Sequence, residues 1–262
     1  MKKIPLLLLP GTLCDSRLWS HQVSHLSNVS DIQVCDITEA DTIEEMAASV
    51  LEKAPPRFAL AGLSLGGIVA IEITRQAPER VIKLALLNTT ANPPYLPQQK
   101  NWEKLIDAVQ KGKFIEVVQQ NFIPNLLYQQ HPLKESLNER IFSMATSVGE
   151  TAYLNQLKAV SSKPDGFKVL PNIECDTLLI VGKEDALCTV KMHEEMQVNI
   201  PHSHLVVIEE CGHLSTMEQP LLVTSAMKEW LVNGNEKNTC RSCEKCTCTS
   251  KEKSNEKGVA NC

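Results

Sequence analysis

The sequence has little of several features that mark specialised classes of protein. No apolar run approaches the roughly 18 residues that a membrane-spanning helix needs, so we expect no transmembrane segment and no membrane partner. The net charge is −5, whereas nucleic-acid-binding proteins carry an excess of positive charge, so we expect no nucleic acid partner either. Aromatic residues make up 4% of the chain, and this scarcity makes their positions informative.

The first residues imitate an export signal without its essential parts. A secretory signal needs an apolar core of about 7–15 residues and a small-residue cleavage site. Here Pro5 and Pro10 confine the apolar run to residues 6–9, which suits a buried strand better. We therefore predict a cytoplasmic protein, in which the five cysteines scattered before residue 234 are reduced thiols and not disulfides.

Short apolar runs alternate with helical patterns along most of the chain. The predicted strands are residues 4–9, 31–37, 58–62, 81–87, 177–181 and 204–208. Helical patterns follow several of them, at residues 42–54, 65–76 and about 220–232. Such alternation indicates right-handed βαβ crossovers, and we predict an α/β fold with a mainly parallel central sheet and helices on both faces. The site should then lie at the carboxyl ends of the strands.

The alternation stops between residues 92 and 162, where only helical patterns occur. This stretch holds seven of the eleven aromatic residues of the chain: Tyr95, Trp102, Phe114, Phe122, Tyr128, Phe142 and Tyr153. We predict an inserted helical cap at 92–162, on a core formed by residues 1–91 and 163–233, with some of the aromatic residues facing the site. The alternative is an ordinary second core, because aromatic residues at helical spacing more often pack inside a protein.

Residues 234–262 differ in composition from the rest of the chain. Polar residues and cysteines dominate, and too few apolar residues remain to offset the entropy of ordering, so we predict a disordered Cys-rich tail. The four cysteines Cys240, Cys243, Cys246 and Cys248 are dense enough to bind a soft metal ion. Structural zinc sites usually separate two ligand pairs by a spacer that is missing here, so we favour a tail without metal and leave metal binding open.

The strongest chemical signal is a serine flanked by glycines, in Gly62-Leu63-Ser64-Leu65-Gly66. A predicted strand leads into it and a helix follows, which is the setting of a nucleophile elbow. A serine hydroxyl needs a base and an orienting acid. After a nucleophile elbow, the acid comes first along the chain and the histidine second, and each follows a different strand. Asp185 follows the fifth predicted strand and His213 the sixth. We predict Ser64 as nucleophile, His213 as general base and Asp185 as the orienting acid.

Some neighbouring residues compete for these roles. Glu184 is the rival of Asp185 as the acid. An oxyanion hole needs two backbone N–H donors, and we assign them to Leu65, directly after the nucleophile, and to Thr12 in the loop after the first strand, with Leu13 as its rival. This chemistry needs no metal and no cofactor, so we predict neither. Ordinary surface or core positions are expected for the other histidines: His21, His25, His131, His193, His202 and His204.

These segments together resemble the capped α/β-hydrolase superfamily. The resemblance covers residues 4–232 and rests on the motifs at 6–11 and 62–67, on the Asp185 loop and on Cys211-Gly212-His213-Leu214. Residues 15–19 are similar to the enol-lactonase and small carboxylesterase branch. Glu218-Gln219-Pro220 matches a stretch that commonly follows the histidine, and we interpret it as the start of a helix.

The resemblance implies a serine hydrolase that cleaves a small to medium carboxylic ester, lactone or thioester through an acyl-enzyme. Its partner would be a small molecule with an acyl group, and the oligomeric state stays open. Two alternatives belong to other classes. One is a lyase or synthase that uses the triad without an acyl-enzyme, and the other is a catalytically silent binding protein.

Overall fold

The computed structural model describes residues 3–233, so the predicted tail at 234–262 lies outside the described residues. Within the described residues, six strands form one sheet in the order β2-β1-β3-β4-β5-β6, and every neighbouring pair is parallel. The strands are β1 Ile4–Leu9, β2 Ser30–Val34, β3 Phe58–Leu63, β4 Val81–Leu87, β5 Asp176–Gly182 and β6 Ser203–Ile208. The predicted parallel sheet is confirmed.

Helices cover both faces of this sheet. The described helices are α1 Ser20–Leu26, α2 Ile43–Lys53, α3 Leu65–Gln76, α4 Leu96–Gln110, α5 Phe114–Val117, α6 Lys134–Ser162, α7 Val190–Asn199, α8 Ser215–Glu218 and α9 Pro220–Asn233. Alternate residues of β1 show the two layers, since Leu6 and Leu8 pack with α1 and α9, whereas Leu7 and Leu9 pack with α2, α3 and α7. A strand buried on both faces explains the unbroken apolar run of β1. None of the described helices is long and apolar enough to cross a bilayer.

The second strand is shorter than the sequence predicts. It ends at Val34, although the amide of Cys35 still donates to the Leu8 carbonyl at 2.9 Å. One oxygen of the Asp36 carboxylate then accepts from both the backbone N–H and the hydroxyl of Thr38, at 2.9 and 2.6 Å. An aspartate that bonds the backbone two residues on closes a turn, which stops the strand before the predicted end at residue 37.

Between β4 and β5 the described chain forms helices and turns and no strand, as expected of the predicted cap. Its longest helix, α6, bends at Gly149, where φ is 87°. The insertion rests on loops that follow the strands. Arg17 after β1 donates to the Ser143 hydroxyl at 2.9 Å, and the His213 amide after β6 donates to the Leu126 carbonyl at 2.9 Å. The insertion therefore lies over the carboxyl edge of the sheet.

Candidate active site

Ser64 stands on a tight turn between β3 and α3. Its backbone has φ 55° and ψ −117°. Residues other than glycine rarely adopt this conformation, and it is typical of a strained turn at a functional site. A Cβ at Gly62 would lie 2.1 Å from the Gly66 carbonyl oxygen, and a Cβ at Gly66 would lie 2.3 Å from the Leu9 carbonyl oxygen. Only glycine fits at these two positions, so the flanking glycines of the motif are a packing requirement of the turn.

The structure brings together the three side chains that the sequence singles out. The Ser64 hydroxyl lies 2.9 Å from Nε2 of His213, and Nδ1 of that ring lies 2.9 Å from Oδ2 of Asp185. Asp185 and His213 are each 3% exposed. Burial alone would raise the pKa of the Asp185 carboxyl, but the nearby His213 and the hydrogen bonds that the carboxylate accepts lower this pKa below its usual range.

Backbone amides hold the Asp185 carboxylate on its other side. Its Oδ1 accepts from the amides of Leu187 and Cys188, both at 2.9 Å. The rival acid, Glu184, points elsewhere, because its Oε2 accepts from the Cys211 amide at 2.8 Å. The structure thus brings Asp185 and not Glu184 to the histidine ring, while Glu184 supports the backbone of the histidine loop.

Asn88 is a site residue that the sequence reasoning missed. It follows β4 directly, is fully buried and has a φ of 45°. Its side-chain amide donates to Asp185 Oδ2 at 3.0 Å and to the Gly212 carbonyl at 3.1 Å, and its oxygen accepts from the Ser215 hydroxyl at 2.5 Å. One asparagine thereby joins the acid loop to the histidine loop. The only sequence signal for this role is the position of Asn88 directly after a predicted strand, at the carboxyl edge of the sheet.

Glu218 is a second missed residue. Pro220 does begin α9, as the sequence predicts, but the Glu218 carboxylate accepts the backbone N–H groups of Tyr128, Gly212 and Leu214 at 2.7, 3.0 and 3.1 Å. The side chain is 4% exposed, and burial raises its pKa although the three N–H bonds act in the opposite direction. This carboxylate therefore ties the inserted helical segment to both neighbours of His213.

The predicted oxyanion donors face the site. Thr12 and Leu65 both line the cavity beside Ser64, and neither amide donates to an acceptor among the described residues. The rival donor Leu13 is already engaged, since its amide donates to Oε1 of Gln156 at 3.0 Å. Of the three candidate donors, Thr12 and Leu65 therefore have free amides and Leu13 does not.

A cavity of about 510 Å³ opens at Ser64 between the sheet edge and the insertion. Four aromatic residues of the insertion line it: Tyr95, Trp102, Phe122 and Tyr153. Phe114 instead packs against Tyr153 in the core, at a ring distance of 6.0 Å. The insertion thus supplies both cavity walls and a packed core.

His193 and two cysteines near the site have structural explanations. His193 is fully buried, and its ring accepts from the Thr89 amide at 3.3 Å and donates to the Thr189 carbonyl at 3.0 Å, as expected of a core histidine. Cys14 and Cys188 line the cavity, but burial raises the pKa of both thiols, which keeps them protonated.

One group of side chains has the composition of a metal site. Donor atoms of Asp185, Cys188 and His213 lie within 4.8 Å of one another. Two of these three residues already bond to each other, and a metal-bound cysteine must lose its proton, which the raised pKa of the Cys188 thiol opposes. The donor set therefore fits the serine–histidine–acid arrangement better than it fits a metal.

Known proteins resemble this chain in sequence and in fold. A pimeloyl-[acyl-carrier protein] methyl ester esterase of Aliivibrio salmonicida is 27% identical over 79% of this chain and 84% of its own. A thermophilic esterase from Thermogutta terrifontis, solved with malate bound, superposes with a TM-score of 0.77 at 29% identity, over 88% of this chain and 90% of its own. The enol-lactonase of Burkholderia xenovorans shares the fold, with a TM-score of 0.78 at 19% identity over 88% and 92% of the two chains. Residues 6–226 match the alpha/beta hydrolase family, and the chain belongs to that family.

Proposed function

We propose that this protein is a serine esterase that hydrolyses a small to medium carboxylic ester through an acyl-enzyme. One observation carries the proposal. Two consecutive hydrogen bonds of 2.9 Å link the Ser64 hydroxyl to His213 and His213 to Asp185, at the wall of a cavity large enough for a substrate. A weakly nucleophilic hydroxyl, an adjacent base and an orienting acid are the minimum for nucleophilic acyl transfer.

In the first half of the reaction, Ser64 Oγ attacks the ester carbonyl carbon and its proton passes to Nε2 of His213. The imidazolium keeps its Nδ1 proton in the hydrogen bond to Asp185, whose negative charge stabilises the ring in that state. The tetrahedral intermediate then collapses. The bond between the carbonyl carbon and the alkoxy oxygen breaks, and the alcohol leaves with the proton from Nε2.

The negative oxygen of each tetrahedral intermediate needs two fixed donors. The Thr12 and Leu65 amides supply them, because both are free and both lie at the cavity wall. Leu65 is also the first residue of α3, so the positive end of the helix dipole faces the developing charge. In the second half, His213 removes a proton from water as the water attacks the acyl carbon. The bond between that carbon and Ser64 Oγ then breaks, the acid leaves, and His213 returns the proton to Ser64.

The names of several similar proteins favour an ester as the substrate. Several similar curated proteins are named as esterases of a methyl ester, and another is named as a hydrolase of a substituted methylenesuccinate. The cavity, with its aromatic wall, suits a small to medium acyl group. A lactone or thioester would follow the same steps, whereas a lyase would form no acyl-enzyme and a silent binding protein would turn over nothing.

Covalent labelling tests the proposal. A fluorophosphonate probe should modify Ser64 and abolish hydrolysis of p-nitrophenyl esters, and mass spectrometry should detect an acyl-enzyme after a short mixing time. Ser64→Ala should lower kcat by about 10³-fold or more. Ser24→Ala, at an exposed serine of α1, is the matched control and should retain activity. Folded protein that the probe leaves unmodified at Ser64 would contradict the proposal.

A further inference from the structure

Lys163 is a buried cation in the active-site cavity. It directly follows α6, where the inserted segment returns to the core, and it is 7% exposed. It lines the cavity together with Ser64. Within residues 3–233 its ammonium group has no hydrogen-bond acceptor and no ion-pair partner. Burial lowers its pKa to about 8, which leaves the group mostly protonated at neutral pH.

No carboxylate of the described protein neutralises this charge. None of the described residues that line the active-site cavity is an aspartate or a glutamate. Lys163 also borders a second cavity of about 170 Å³, which Glu72 and Asp165 line. Glu72 is paired with Arg75, Asp165 accepts from the amide of Phe167 at 3.1 Å, and neither pairs with Lys163. An unpaired buried charge is costly, so the position calls for an anion that none of the residues 3–233 provides.

Gln156 presents a second unpartnered donor to the same cavity. The side chain is 1% exposed and lines the cavity. Its oxygen accepts from the Leu13 amide, beside the proposed oxyanion donor Thr12, while its Nε2 is buried without a hydrogen-bond partner in the described structure. A buried amide nitrogen without an acceptor is rare in native proteins and points to a ligand atom as its partner.

The spacing of these two donors follows from α6. Gln156 lies on this helix and Lys163 is the first residue after its end, seven positions along the chain, which corresponds to about 10 Å at the helical rise of about 1.5 Å per residue. Leu157 and Val160 line the cavity between them. The wall therefore runs from a neutral donor beside the oxyanion loop, over an apolar stretch, to a cation.

We propose that the substrate ester carries a carboxylate at the far end of its acyl chain, which Lys163 binds, while Nε2 of Gln156 donates to the ester end. The substrate class is then the monoester of a short dicarboxylic acid. This inference rests on the proposed esterase function, because it assumes that the ester carbonyl lies at Ser64. A carboxylate supplies the acceptor that the ammonium lacks, and the apolar stretch of the wall accommodates the methylene chain.

Paired substrates test the carboxylate directly. Monomethyl adipate and the methyl ester of adipamic acid have the same shape and differ only in carboxylate against amide. The wild-type protein should favour the carboxylate by roughly 10- to 100-fold in kcat/KM, the size expected of a charge-assisted hydrogen bond. Lys163→Met should reduce this ratio to about one, chiefly through KM. Lys158→Met removes an exposed cation of α6 that is paired with Asp41, and this control variant should preserve the ratio.

A binding experiment separates this inference from the proposed function. Monomethyl adipate should bind to the Ser64→Ala protein in calorimetry, and the additional Lys163→Met change should abolish that binding. If no ester is cleaved but this Lys163-dependent binding occurs, the esterase proposal fails and the anion site stands. If neutral esters are cleaved and Lys163→Met alters neither the substrate ratio nor the binding, the anion site is wrong and the esterase stands.

Thermal unfolding controls for a folding defect. Removal of an unpaired buried charge should not destabilise the fold, so Lys163→Met should have a Tm equal to or above that of the ligand-free wild-type protein. Added monomethyl adipate should raise the Tm of Ser64→Ala but not that of the double variant. A Lys163→Met protein that unfolds at a clearly lower temperature would show that the ammonium has a structural partner, which contradicts the inference.

Discussion

The Asp185 carboxylate accepts hydrogen bonds from four groups, which belong to three separate segments of the chain. One oxygen accepts two backbone amides, and the other accepts His213 and Asn88. The carboxylate cannot rotate without the loss of several hydrogen bonds, so the histidine tautomer with a proton on Nδ1 is the stable one. The adjacent Glu184 accepts a single backbone amide and does not contact the ring. Adjacent acids therefore have different functions here.

This difference predicts unequal effects for two isosteric changes. Asp185→Asn should reduce kcat by about 10⁴-fold, because the amide favours the wrong histidine tautomer. Glu184→Gln should reduce kcat by less than about tenfold, because its remaining oxygen can still accept the Cys211 amide. Steady-state kinetics on a p-nitrophenyl ester, with circular dichroism to verify the fold, measure both effects. A larger loss in Glu184→Gln would reverse the assignment of the acid.

At the scale of elements, the histidine loop depends on the segment inserted between β4 and β5. The Glu218 carboxylate, at the end of α8, accepts amides on both sides of His213 and one from Tyr128 in the insertion. The His213 amide itself donates to the insertion at Leu126. One buried hydrogen-bond cluster thus connects the cavity wall to His213, the proposed general base.

Glu218→Gln should show whether this cluster positions His213 or only shapes the cavity wall. The amide nitrogen of glutamine would face N–H groups that now donate to a carboxylate oxygen, at a cost of about 2 kcal/mol in the free energy of unfolding. We expect kcat and the rate of fluorophosphonate labelling of Ser64 to fall roughly tenfold or more, because the histidine base shifts, with a smaller change in KM. Glu194→Gln, at an exposed carboxylate of α7, is the control. Equal rates for Glu218→Gln and the wild-type protein would refute a positioning role for Glu218.

For the whole molecule, stability depends on polar groups that the packed sheet and helices hold away from water. His193 on α7 is fully buried, with both ring nitrogens hydrogen-bonded to backbone groups. Burial lowers its pKa to about 4. The folded protein therefore holds this ring neutral at a pH where the unfolded chain, with a histidine pKa near 6.5, binds a proton.

The pH dependence of unfolding should reveal this histidine. Between pH 6.5 and pH 4 the unfolded chain binds one proton more than the folded protein at this position, so stability falls as the pH falls. The stability lost at His193 amounts to about 2 kcal/mol at pH 5, relative to a pH well above 6.5, where the ring is neutral in both states and nothing is lost. Urea unfolding at pH 7 and pH 5 should therefore show a smaller pH-dependent loss for His193→Gln than for the wild-type protein. Equal losses would show that acid sensitivity arises elsewhere.

The sequence by itself determined the order of strands and helices, the glycine-flanked turn at Ser64 and the strand-end positions of Asp185 and His213. The spacing of hydrophobic residues and the residue types of a turn depend on residues close together in the sequence, so the sequence alone reveals them. Only the tertiary structure decided that Glu218 accepts three distant amides. It also decided that Lys163, of a residue type that is usually exposed, is buried beside the site without a partner among the described residues. Such contacts join segments far apart in sequence, and packing of the insertion over the sheet creates them.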